Sequence, residues 1–137
     1  GYFLLIMSHL IRNTTIQSPR NQSPEYYIKK ALDYIEINYP YDINVQSIAS
    51  YIGIERSYLY KIFVHYTGCA PSKYLYEHRL LMAAKLLKES ALSIQEIALS
   101  VGFHDVAHFY RTFASKYHMT PKQFQLLYKT KELPLDE

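Results

Sequence analysis

The chain has 137 residues, 49% of them hydrophobic, which allows one domain, with room for a short extra element, and argues against wholesale disorder. Its single cysteine, Cys69, excludes an internal disulfide and any zinc site built on several thiolates, and it fits a reducing compartment. The net charge of +3 is uneven, with eleven Lys/Arg against four Asp/Glu from Arg56 to Lys131 but four against five in residues 1–55, a weak pointer to an anionic partner such as nucleic acid.

The chain opens with GYFLLIMSHLIRN, apolar but too short to span a bilayer and without the basic start and cleavage site of a signal peptide. Leu4, Leu5, Met7, Ser8 and Ile11 predict a helix with one apolar side. Residues 1–16 read as the C-terminal helix of an upstream sensor or dimerisation domain, stranded without the surface it packed on. Such a helix should seek a partner, and a second copy of itself is one candidate. Residues 17–24, within TTIQSPRNQSPEYY and its two Ser-Pro steps, read as a linker.

Every strong signal beyond the linker is helical. Ser23 is an N-cap candidate with Pro24 at the first helical position, and Tyr27, Ile28, Ala31, Leu32 and Ile35 form one apolar stripe that Pro40 ends. No run alternates with period two over a useful length. The domain, residues 25–131, is expected to be all-α with about seven helices, followed by a tail at 132–137.

Comparing the chain with itself is the most informative step. IASYIGI at 48–54 matches IALSVGF at 97–103, an offset of 49, and from Leu59 the match resumes at an offset of 50. Leu59 pairs with Phe109, Tyr60 with Tyr110, Lys61 with Arg111, Phe63 with Phe113 and Pro71 with Pro121. One residue has been added in the second turn. Each copy predicts a short helix, a turn at Gly53 or Gly102, and a longer second helix. This is a helix-turn-helix occurring twice, at 45–66 and 94–117.

Positions apolar in both copies, Leu59/Phe109 and Phe63/Phe113, mark the buried side of each second helix, with Ile62 and Tyr66 beside them. The opposite face carries Arg56, Ser57, Tyr60, Lys61 and Val64 in the first copy. In the second it carries Ala107, Tyr110, Arg111 and Ala114, with His108 at the edge. Arg can pair with the O6 and N7 of guanine, small side chains admit the thymine methyl, and Tyr adds contact area and a hydroxyl. A solvated face with one charge is the weaker alternative for a single copy. Two matching copies favour a groove reader.

His104 and His108, four apart with Asp105 between, raise a metal reading. Asp105 is a good N-cap, so His104 falls in the turn and the two imidazoles do not share a helical face. No metal site is expected. His9, His65 and His78 have no carboxylate or nucleophile at a motif spacing, so neither a cofactor nor enzymatic chemistry is expected.

Between the two motifs, PSKYLYEHRLLMAAKLLKES predicts one long helix over 71–89, about 28 Å at 1.5 Å per residue. A strut of that length suits two readers spaced by one turn of B-DNA, about 34 Å. Phosphate contacts are expected at helix starts, where free N–H groups and the positive dipole end face outward. The candidates are Asn44, Ser72, Lys73, Ser93, Lys122 and Gln123.

From about Tyr26 to Tyr128 the chain resembles the DNA-binding domain of the AraC/XylS family of transcription regulators. IQEIALSVGFHDVAHFYRTFASKYHMTPKQF is similar to that family's second helix-turn-helix and closing signature, and SIASYIGIERSYLYKIFVHYTGCAPSKYLYEHRL to its first. His118 stands where the family usually has Gly, Gln125 where Arg often follows, and Ala114 where Lys or Arg is common. The resemblance implies two helix-turn-helix subdomains joined by a long central helix, with both second helices docked into successive major-groove segments of double-stranded operator or promoter DNA. It also implies an activator in a bacterial cytoplasm, associated with the nucleoid and not with a membrane. An upstream domain that binds a small molecule such as a sugar and dimerises, and RNA polymerase as a further partner, belong to the same expectation. The alternative is an α-helical protein–protein interaction module without direct DNA contact, which the matched Lys61/Arg111 disfavours.

Overall fold

The computed structural model describes residues 22–129. The helix expected in residues 1–16, the first part of the 17–24 linker and the tail at 132–137 lie outside the described residues. Ser23 starts the first helix, its side chain accepting from the Tyr26 N–H at 3.3 Å, with Pro24 in the first turn. Seven helices and no strand occur among the described residues: α1 Pro24–Asn38, α2 Val45–Ile52, α3 Arg56–Thr67, α4 Pro71–Glu89, α5 Ile94–Ser100, α6 Val106–Tyr117 and α7 Pro121–Tyr128. None of them is long and apolar enough to cross a membrane.

The chain divides between Tyr76 and Glu77 into two compact units, and the division falls inside α4. In the first unit α1, α2 and α3 pack around Ile28, Ala31, Ile35, Ile48, Leu59, Ile62 and Phe63, all fully buried. Phe63 also meets Tyr74 of α4 edge-on at 5.3 Å. In the second unit an aromatic chain runs from α6 into α7. Phe109 lies 5.6 Å from Phe113, and Phe113 lies 5.3 Å from Phe124. Leu80, Ala83, Ala84 and Leu87 are the buried side of the central helix in this unit, while Leu81 and Lys85 are exposed. Removing a fully buried ring such as Phe63 or Phe113 costs about 3–5 kcal/mol, a large share of what a small unit has.

The turns differ as the repeat offset requires. Gly53 follows α2 directly at φ 79°, its N–H bonded to the Ala49 carbonyl at 2.9 Å, and two residues separate it from α3. Gly102, at φ 105°, follows Val101, and three residues separate it from α6. Matching the copies outward from both sides leaves His104 as the added residue. Both glycines occupy backbone that a β-carbon disfavours. The helix ends differ as well: α3 stops at Gly68 with φ 81°, whereas α6 stops at His118 with φ 61°.

Candidate nucleic-acid interface

The second helix of each motif exposes one ridge and buries the other. On α3, Leu59, Ile62, Phe63 and Tyr66 are buried, while Arg56, Ser57, Tyr60, Lys61, Val64 and His65 are exposed. On α6, Phe109 and Phe113 are buried, and Ala107, Arg111, Ser115 and Lys116 are exposed, with His108, Tyr110 and Ala114 half-buried. Aligned at the offset of 50, Ser57, Lys61 and His65 fall on Ala107, Arg111 and Ser115. Each triplet is spaced by four and forms one straight exposed ridge. His65 and Ser115 were not expected as readers from the sequence, since they are not matched in type. Their only signal was the four-residue spacing.

Lys61 and Arg111 make no ion pair among the described residues, so both cations are available to an outside partner. Tyr110 lies against Phe109 at 6.3 Å, and His108 against Phe103 at 5.9 Å, so these two rings are held in place by the core. Phe103, the residue after the turn glycine, is itself buried. The start of α6 is secured by Asp105, whose carboxylate accepts from the Ala107 N–H at 3.0 Å. His104 lies in the turn before it, so it does not share a helical face with His108.

The start of α3 is arranged differently. Glu55 occupies the cap position without a side-chain hydrogen bond, and Arg56 is the first helical residue. A cation there opposes the helix dipole, by roughly 0.3–1 kcal/mol at an exposed site, while the neighbouring Glu55 carboxylate favours it. Arg56, Ser57 and Tyr60 line an open concavity of about 460 Å³ together with Val45, Ala70, Pro71 and Ser72. Residues expected separately as base readers and as a phosphate contact, Ser57 and Ser72, therefore share one wall. Val45, Ala70 and Pro71 complete it, and sequence spacing gave no sign of them.

Of the remaining phosphate candidates, all but Lys73 sit at helix starts closed by reciprocal side-chain bonds. Asn44 accepts from the Ser47 N–H at 2.9 Å and its own N–H is taken by the Ser47 hydroxyl at 2.8 Å. Thr120 and Gln123 form the same reciprocal pair at 3.1 and 2.9 Å, with exposed Lys122 between them. Both pairs are neutral, so the positive end of each helix stays uncompensated. At α5 the partner of Ser93 is Glu96, whose carboxylate accepts from the Ser93 N–H at 3.0 Å. That backbone bond, with the Ser93 hydroxyl adding to it, holds the Glu96 carboxyl below the usual carboxylate range. A full negative charge sits where the dipole supplies only about half a positive one, which argues against Ser93 as a phosphate seat. Lys73 is exposed near the start of α4.

Residues 48–126 match a family described as a helix-turn-helix domain. The chain is 33% identical over 98 residues to the lactose operon transcription activator of Staphylococcus xylosus, covering 72% of this chain and 35% of that protein. It is 33% identical over 105 residues to the Msm operon regulatory protein of Streptococcus mutans, covering 77% of this chain and 38% of that one. The chain thus spans well under half the length of either. Among solved structures, a transcriptional regulator from Chromobacterium violaceum, described by its AraC-type DNA-binding domain, superposes with a TM-score of 0.72 at 30% identity, covering 79% of this chain and 96% of that one.

Proposed function

The chain belongs to the AraC-type helix-turn-helix family of transcription regulators, and on that premise we propose that α3 and α6 are its two recognition helices, each laid in a major-groove segment of operator DNA. Family and fold are those of DNA-binding regulators and not of enzymes. The observation that carries the reading is the pair of matched ridges, Ser57–Lys61 and Ala107–Arg111, each opposite a buried pair of apolar side chains. In this reading Lys61 and Arg111 address base edges, with Arg56, Ser57, Tyr60, Ala107, His108 and Tyr110 around them. Asn44, Ser72, Lys73, Lys122 and Gln123 contact phosphates and set the register.

The whole protein's role is proposed on the same basis. The Staphylococcus relative is an operon activator, so activation is the proposed sign of regulation. Residues 1–16 are read as the end of an upstream domain that binds a small molecule, such as a sugar, and dimerises. RNA polymerase is the proposed further partner, and a DNA-bound regulator of this kind works in the cytoplasm at the nucleoid. Selection of bound sites from a random duplex pool tests the reading directly: a single enriched motif is expected. Affinity for that motif should fall by roughly 10³–10⁵ between 50 and 200 mM salt if about 6–10 phosphates are contacted. No enriched motif, or binding that ignores salt, overturns it in favour of a protein–protein module.

A further inference from the structure

The exposed face of α3 differs from that of α6 in a way that the matched cations do not explain. Tyr60 and Val64 are 55% and 38% exposed, whereas no large apolar side chain of α6 is exposed. Their counterparts at the offset of 50, Tyr110 and Ala114, are half-buried. Tyr110 rests on Phe109 at 6.3 Å, while Tyr60 meets no other ring among the described residues. Tyr60 and Val64 are four apart, so they share one side of the helix, about 6 Å apart along its axis and beside Ser57 and Lys61. Tyr60 also lines the concavity at the starts of α3 and α4, whose apolar walls are Val45, Ala70 and Pro71.

A major groove offers such a face only one matching group. Its base edges carry hydrogen-bond donors and acceptors, and the apolar exception in unmodified DNA is the C5-methyl of thymine. An apolar side chain pressed against a polar edge costs that edge its water and supplies no bond in return. Against a methyl, both partners bury apolar area. Exposed apolar side chains beside a groove-directed cation therefore select a base pair by its methyl group.

Resting on the functional reading above, we infer that α3 selects its half-site through a thymine whose C5-methyl lies against Val64 and Tyr60. Lys61 addresses a base edge beside that thymine. The two half-sites are then chosen by different chemistry: a methyl contact under α3, and the hydrogen bonds of Arg111 under α6.

Val64 is exposed and Ala is the better helix former, so Val64→Ala keeps the fold, which thermal unfolding checks. Site selection from a random duplex pool is run with the parent chain and with this variant. The variant should relax the preference at a thymine in one half-site only, and that half-site is the one under α3. Replacing the same thymine by deoxyuridine removes only the methyl. The parent should lose about fourfold in affinity, the worth of one buried methyl group. Val64→Ala should lose clearly less on the uracil duplex, and Tyr60→Ala should blunt the loss in the same way. A purely structural role for these side chains leaves the uracil loss equal in all three chains. That equality overturns the inference while leaving the groove reading standing. So does a parent indifferent to uracil, a motif unchanged by Val64→Ala, or relaxation at a base other than thymine. If the parent enriches no motif, the groove reading fails and the inference fails with it.

Discussion

Replacing Arg111 with Ala separates reading from folding. The side chain is exposed in the middle of α6 and makes no ion pair among the described residues, and Ala is at least as good a helix former. Its loss should therefore change stability by no more than about 0.5 kcal/mol. If Arg111 makes a two-pronged contact with a guanine edge, the same change should cost about 1–3 kcal/mol at the selected site, or roughly 5- to 150-fold in affinity. Fluorescence anisotropy at one salt concentration, with the selected duplex and a scrambled one, measures both losses, and thermal unfolding of the same samples measures stability. The specific constant should fall far more than the nonspecific one, and preference should relax at one or two base pairs. Lys122→Ala should weaken both duplexes alike. Equal losses for Arg111→Ala refute the ridge as the sequence reader even if the protein binds DNA.

Three further outcomes follow from the turns and the core. Gly102→Val forces a β-branched residue to φ 105° and should destabilise the second unit by about 1–3 kcal/mol, read as faster hydrogen exchange in α5 and α6. His118→Gly relieves a left-handed backbone at the end of α6, worth about 1–2 kcal/mol, against a smaller loss to unfolded-state entropy, so the melting temperature should rise. Burial, with Glu25 and then Tyr58 adding to it, pushes the Tyr66 hydroxyl from 10 up to about 12. The unfolded chain ionises first, so this group's contribution is fully present below pH 10 and lost as pH rises from 10 through 12. Tyr66→Phe should flatten that alkaline loss in chemical denaturation, and an unchanged pH profile would place the titration elsewhere.

The helices, their ends and the repeat were legible in the sequence because each depends on a few adjacent residues. Ser23 and Asp105 cap as read, Pro40 lies just beyond the end of α1, and the apolar period put Leu59, Phe63, Phe109 and Phe113 inside. The 49-to-50 shift located an added turn residue, since two copies of one motif report on each other. The concavity joining Ser57 to Ser72 was not legible. It forms where the start of α3 meets the start of α4, fifteen positions along the chain, and no spacing rule links those positions. The contrast among helix starts, by comparison, lies in local sequence: Ser93 and Glu96 are three apart and close an acidic capping box, whereas Asn44 and Ser47 close a neutral one. Local sequence determines which segments are helical and which faces are apolar. Tertiary packing decides which exposed groups end up side by side, because that depends on contacts between elements the chain brings together only on folding.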